Sequence, residues 1–297
     1  MLATGLCAQL ACIWEVTACK PGNVTRYSDF EKTTFVDFLL SAAAIAPALE
    51  AAPERRVGET VLEGIRATRQ VVNSNTNLGI LLLLAPLAAV PRNEPLPTGL
   101  PTVLDRLDLE DTKAVYEAIR LAEPGGLGQV AEQDVRVEPS FGLREAMGLA
   151  AERDLIARQY VNNFSEIFNL GVPAVLSQLN AGQDLESAII YCHLKFMATH
   201  PDSLIARKCG LDEAEEVRKS AEMILDGGWP GPVGRPYSDE WYDEVFQILD
   251  EHLRSDGNRR NPGTSADLVT ASLFALLREG TIESAFQYPW NLPAGNE

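Results

Sequence analysis

The chain has 297 residues, a formal net charge of −17 and 46% hydrophobic residues. That charge argues against a general nucleic-acid binder or a protein of anionic membrane surfaces, because the mean field repels both. Five cysteines, an odd number with no C-x-x-C pair, and only three histidines predict reduced thiols in a cytoplasmic protein and make a histidine-based metal centre improbable.

The N-terminus is apolar but has no basic leader region, and Glu15 and Lys20 interrupt it, so no signal peptide is read. Glu15 lies among Ile13, Trp14 and Val16, which predicts partial burial. A buried carboxylate is either paired, here with Lys20 or Arg26, or has a raised pKa suited to general acid or base work. Both readings stand. Directly after it, Lys20-Pro21-Gly22-Asn23-Val24-Thr25-Arg26 combines a Pro-Gly turn with two cations and polar side chains. Lys20, Asn23 and Arg26 are therefore candidate phosphate contacts.

Thr34 to Glu50 puts Phe35, Phe38, Leu39, Ala42, Ala46 and Leu49 on one helical face, with Thr33 or Thr34 as cap. Glu59 to Val72 repeats the pattern. Asn73, Asn75 and Asn77 alternate ahead of Leu78–Val90, the most apolar run. That run is shorter than the ~20 residues of a membrane span and predicts a buried helix, kinked or ended by Pro86. The three asparagines exceed what a helix cap requires and would meet phosphate or ribose at the positive helix end. Pro91–Pro101 reads as a surface loop. Asp111 opens the next helix, which stops at Pro124-Gly125-Gly126. Asp134, in the segment that follows, could reach a site from there.

Further helices are predicted at Leu143–Glu152, Asp154–Phe168, Asp184–Thr199, Asp212–Asp226, Asp239–Leu253 and Ser265–Arg278, with Gly227–Pro236 as a second long loop. Asp154 and Arg158 are spaced for an intrahelical ion pair. Asp202, Arg207 and Lys208 combine an acid with two cations at spacings poor for pairing with each other, which favours an outside partner. Ser265 and Asp267 lie at the start of the last helix, where a carboxylate suits Mg²⁺ bound to phosphates. No sustained period-two alternation occurs. The fold class is all-α, as a single compact multi-helix domain over 1–297.

Glu15 with Lys20-Pro21-Gly22, then Asn75-Thr76 and Gly79, Asp202 to Gly210, and finally Pro262-Gly263 with Ser265-Ala266-Asp267-Leu268 form an ordered set that resembles the ATP:dephospho-CoA triphosphoribosyl transferases. These make the prosthetic-group precursor of citrate and malonate decarboxylases. The resemblance spans nearly the whole chain. It implies transfer of a (phospho)ribosyl group from ATP to an acceptor hydroxyl such as that of dephospho-CoA, with release of adenine. By analogy with glycosyl transfer, a carboxylate takes the hydroxyl proton, and cations or a metal fix the polyphosphate. On this reading Glu15 and Asp202 are candidate catalytic residues. Lys20, Asn23, Arg26, Asn73, Asn75, Asn77, Arg207, Lys208 and Ser265 bind the nucleotide, and Asp267 and Asp202 hold Mg²⁺.

Two departures bear on substrate. The family's best-characterised branch has His-Lys where this chain has Asn77-Leu78, and Pro-Gly-Gly-Ser becomes Pro262-Gly263-Thr264-Ser265. Loss of a lysine from a triphosphate site keeps a second reading close: ribosylation of a ribitol hydroxyl in tetrahydromethanopterin-type cofactor synthesis, from a phosphoribosyl pyrophosphate donor. A third reading is a non-catalytic helical nucleotide-binding protein. Oligomerisation through an apolar helix face is compatible with all three.

Overall fold

The computed structural model describes residues 2–123, 138–228 and 240–282. Among them are fourteen α-helices and no β-strand. In chain order these are α1 (Thr4–Thr17), α2 (Phe35–Glu50), α3 (Val57–Arg69), α4 (Leu78–Ala88), α5 (Leu96–Asp105), α6 (Leu109–Ala122) and α7 (Leu143–Gly148). The chain continues through α8 (Leu155–Asn162), α9 (Val172–Asn180), α10 (Leu185–Thr199), α11 (Ser203–Cys209), α12 (Leu211–Asp226), α13 (Glu240–Asn258) and α14 (Gly263–Arg278). The all-α expectation holds. The expected stop at Pro124-Gly125-Gly126, the loop around Asp134 and most of Gly227–Pro236 lie outside the described residues.

Two helices form the centre. α4 is Leu-rich all round and buried at nearly every position, and α14 is enclosed along most of its length. A helix that is apolar on every face has to be an inner one. The two run parallel. Gly79, at the start of α4, packs on Asp267 in the first turn of α14. At the other end, the buried Arg278 guanidinium donates to the carbonyls of Val90 (3.0 Å) and Pro91 (2.7 Å). A cation there satisfies backbone acceptors just beyond the negative end of α4. Helices α1, α3, α9 and α10 pack around this pair. Buried hydroxyls inside the core bond back within their own helix, as Thr270 does to the Ala266 carbonyl (3.2 Å) and Ser272 to Leu268 (2.8 Å).

Several local expectations need correction. α4 does not end at Pro86 but runs on to Ala88. Pro86 has no N–H for the carbonyl four residues back, that of Leu82, and the buried Tyr160 hydroxyl donates to it instead at 2.6 Å. Pro91–Pro101 is not a loop throughout, since α5 begins at Leu96. Its Leu96, Leu100 and Leu104 form a buried i, i+4 stripe; Pro97 near the helix start costs no intrahelical bond, and the helix runs on through Pro101 at the loss of one. Asp108, not Asp111, caps α6; the two form a capping box. Thr34 is the cap of α2, again with a reciprocal box to Asp37. The expected Asp154–Phe168 helix breaks after Asn162, where Asn163 and Phe164 take φ of 57° and 62°. A π-helical turn, Ile167–Gly171, then leads into α9.

Candidate functional site

The amino-terminal ends of α4, α8, α11 and α14 converge on one cleft of about 1320 Å³. Hydrogen bonds fix this convergence. One oxygen of Asp202 caps α11 through the N–H groups of Leu204 (2.8 Å) and Ile205 (3.2 Å). Its other oxygen accepts from the Ser265 N–H (2.7 Å) and hydroxyl (2.9 Å) at the start of α14. The Leu155 N–H of α8 donates to Ser203 Oγ at 2.8 Å. Asp154 caps α8 through Ile156 and Ala157. Four positive helix ends are thereby brought together, two of them capped by the carboxylates of Asp202 and Asp154. The cleft's volume exceeds the ~300–1,000 Å³ of a typical single-ligand pocket, so two ligands fit together.

Charged side chains gather here. Arg207 and Lys208 of α11 line the cleft beside Asp154 and Asp267. Arg207 Nη1 is 3.8 Å from Asp154 Oδ2, and more than a third of its side chain remains exposed. Lys208 donates to Asn261 Oδ1 at 2.8 Å. Burial and the adjacent Arg207 lower its pKa. Asp267 keeps a partly exposed face and has no hydrogen bond or ion pair among the described residues. Its pKa is raised well above the carboxylate range, first by burial and then by Glu15, Asp202 and Asp154, with Arg207 opposing. The backbone leaves room for this carboxylate only because residue 79 is glycine: a Cβ there would sit 2.0 Å from Asp267 Oδ2. Another wall, from α4, α6, α7 and α8, is apolar, with Leu78, Leu82, Val115, Ile119 and Met147 among its residues.

Of the residues expected from the sequence, Glu15, Asn23, Asn73, Asn75, Asn77, Arg207, Lys208 and Asp267 line this cleft. Asn23 points its amide nitrogen toward the Pro262 carbonyl (3.5 Å) and His193 Nε2 (3.4 Å). A ring nitrogen that accepts this contact belongs to a neutral imidazole, and burial with nearby Lys20 pushes the His193 pKa down to about 3.

Four assignments are corrected. Lys20 is fully buried and its ammonium is occupied by Glu15 Oε1 (2.9 Å), the Glu15 carbonyl and the Ala18 carbonyl (3.2 Å). With three protons and three acceptors, it has none left for a phosphate. Ion pairing thus accounts for Lys20. The Glu15 carboxyl remains raised in pKa, because burial outweighs the lysine. Arg26 forms a fork to both oxygens of Glu186 (2.9 and 3.1 Å) and also donates to the Thr17 carbonyl (2.9 Å). It ties the turn to α10 and is not among the cleft residues. Ser265 and Asp202 bond to each other. The four internal donors on Asp202 leave it no role as base or metal ligand. Finally, the Asp154 pair is with Arg207 and not Arg158. Asp154 is therefore a cleft carboxylate that sequence reasoning missed; its N-cap position ahead of an apolar run was the available signal.

Arg26→Ala is expected to act through stability alone. Losing a half-buried bidentate pair should cost on the order of 2 kcal/mol, read as a lower Tm, with ligand affinity of the folded protein unchanged.

The model of the ATP:dephospho-CoA triphosphoribosyl transferase family matches residues 2–285. A protein of Pseudomonas savastanoi pv. phaseolicola, named as a candidate 2-(5''-triphosphoribosyl)-3'-dephosphocoenzyme-A synthase, is 25% identical over 169 residues. That match covers 56% of this chain and spans about half, 53%, of the relative. A solved structure from Archaeoglobus fulgidus, described as a candidate triphosphoribosyl-dephospho-CoA synthase, aligns with a TM-score of 0.63 at 30% identity. The alignment covers 82% of this chain and 99% of that one. Among the described residues, no helix is long and apolar enough to cross a membrane.

Proposed function

This chain belongs to the ATP:dephospho-CoA triphosphoribosyl transferase family, and from that premise we propose that it transfers a phosphorylated ribosyl group from ATP to a hydroxyl of a small cofactor precursor. The observation that carries this reading is Asp267, a carboxylate with no hydrogen bond or ion pair among the described residues, sharing the cleft where four helix amino-termini meet with Arg207 and Lys208. The donor's polyphosphate lies against the two cations. The acceptor hydroxyl lies against Asp267. In the transfer, the bond between the anomeric carbon and adenine breaks while a bond to the acceptor oxygen forms. The hydroxyl proton passes to Asp267, and adenine leaves with the electron pair and takes a proton from solvent. Asp267 thereby replaces Asp202 as the base, with Glu15 behind it holding its pKa high.

Among the described residues, no group of three His, Cys, Asp or Glu side chains is arranged to hold a metal ion. Both oxygens of Asp202 are taken by internal donors, so a Mg²⁺ shared between Asp267 and Asp202 does not fit this arrangement. Magnesium enters this reading as the counter-ion of the donor, held by phosphate oxygens and water.

A second reading keeps ribosyl transfer to a hydroxyl but changes the substrates: the acceptor is the ribitol hydroxyl of a tetrahydromethanopterin-type precursor, and the donor is ATP or phosphoribosyl pyrophosphate. It is favoured by Leu78, an apolar cleft residue where the better-known branch has lysine, and by the apolar wall beside it. Purified protein with ATP and Mg²⁺, offered each acceptor in turn, should release adenine and give an acceptor heavier by the ribosyl phosphate. No adenine with either acceptor would overturn the proposal.

Arg207→Ala is expected to weaken ATP binding roughly tenfold or more, the equivalent of one charge-assisted contact worth on the order of 1.5–3 kcal/mol. The fold should stay intact, since Arg207 has only a long contact to Asp154. Calorimetric titration checks it, and unchanged affinity would remove the main polyphosphate anchor.

A further inference from the structure

The amide orientation of Asn77 is determined by its surroundings. Asn77 is 3% exposed and lines the cleft. Its Nδ2 donates to Thr68 Oγ1 at 2.8 Å. Thr68 in turn donates its only hydroxyl proton to the Gly64 carbonyl at 2.9 Å, so toward Asn77 it can only accept. The amide nitrogen therefore faces Thr68, and the other end of the side chain is an oxygen. That oxygen, Oδ1, is buried and has no hydrogen-bond partner.

Capping does not explain it. Asn77 occupies the N-cap position of α4 but makes no side-chain cap bond. The Leu78 N–H is instead satisfied by Asn75 Oδ1 at 3.2 Å. The neighbouring Thr76 is pinned by a 2.5 Å bond between its hydroxyl and that of Ser41. The loop is thus held at three points while Asn77 Oδ1 stays unfilled, as does the Ser74 hydroxyl of the same segment, which can turn its proton to suit a partner and so carries no direction of its own. Buried acceptors without donors are rare in folded proteins, and each calls for an explanation.

We infer that Asn77 is a specificity residue whose Oδ1 accepts a hydrogen bond from an uncharged donor on the nucleoside part of the bound nucleotide, a sugar hydroxyl or the exocyclic amine of the base. This rests on the ribosyl-transfer reading above and deepens it by giving the ligand a direction. A carbonyl oxygen repels phosphate oxygens, and Leu78 beside it supplies no charge. The polyphosphate therefore lies toward Arg207 and Lys208, and the nucleoside toward Asn77. A site built around one acceptor discriminates strongly against analogues lacking the matching donor, because the buried oxygen is then left unpaired.

The test compares binding of ATP, 2'-deoxy-ATP, 3'-deoxy-ATP and inosine triphosphate, which lacks the exocyclic amine, by calorimetry. Wild-type protein should bind ATP at least about tenfold more tightly than one of the three analogues, and the identity of that analogue names the donor. Asn77→Ala should lose this preference, with all four ligands within roughly threefold. Thr68→Val, which frees the amide to rotate, should weaken the preference in part. Equal binding of all four ligands by wild-type protein defeats the inference whether or not the variants fold. So does an unchanged preference in a folded Asn77→Ala. Binding of none of the four defeats the ribosyl-transfer reading on which it rests.

Discussion

Asp267→Asn is expected to lower turnover by about 10²–10⁴-fold, the usual contribution of a positioned general base, and at the same time to raise Tm. Asparagine keeps the shape that fits against Gly79 and removes a charge that the surroundings disfavour. Burial and the carboxylates of Glu15, Asp202 and Asp154 all raise the Asp267 pKa. A carboxyl with a higher pKa in the folded than in the unfolded chain destabilises the fold as pH rises from the unfolded value through the folded one. The stability gap between variant and wild type should therefore be small in acid and open toward neutral pH. Its size there is on the order of 1 kcal/mol, or ~2 °C in Tm for a chain of this length. The base works only when ionised, so wild-type turnover should fall with decreasing pH at a higher pH than an ordinary carboxylate would give. A variant that loses activity and also melts earlier at neutral pH would identify Asp267 as a structural residue.

The helical architecture was legible in the sequence because it depends on short-range chemistry. Thr34 with Asp37 three residues on, and the uniformly apolar Leu78–Val90, need no knowledge of the rest of the chain. The site was half legible. Asn75, Arg207 and Asp267 were recognised and do meet at one cleft. The errors arose where a side chain's partner is distant in sequence or is main chain. A formal charge at position 20 or 26 says nothing about whether two carbonyls and a carboxylate already occupy it. Asp202 looked available because its partner, Ser265, is 63 residues away. Likewise Pro86 looked like a helix breaker because the Tyr160 hydroxyl that compensates for it comes from 78 residues after Leu82.

The largest stability effect is expected at Lys20, although it touches no ligand in the proposed reaction. Lys20→Met should cost about 3–5 kcal/mol, on the order of 10 °C in Tm, because it leaves the Glu15 carboxylate buried without its cation. Burial already raises the Glu15 pKa, with Lys20 as the opposing influence. Removing Lys20 raises it further, so Glu15 can escape the penalty by taking a proton. The cost should consequently shrink as pH falls and be largest above the new pKa. Glu15→Gln alone also damages the fold, since it leaves the ammonium without its counter-charge. The double variant Glu15→Gln/Lys20→Met should lose much less than the sum of the two, the sign of a directly coupled pair. Glu15→Gln has a further consequence at the cleft. Glu15 is one of the charges that raise the Asp267 pKa, so its neutralisation should move the acid limb of the turnover–pH profile downward. Additive stability losses in the double variant would show that the pair is not coupled. An unmoved acid limb in Glu15→Gln would separate Glu15 from the base and leave burial, Asp202 and Asp154 to raise its pKa.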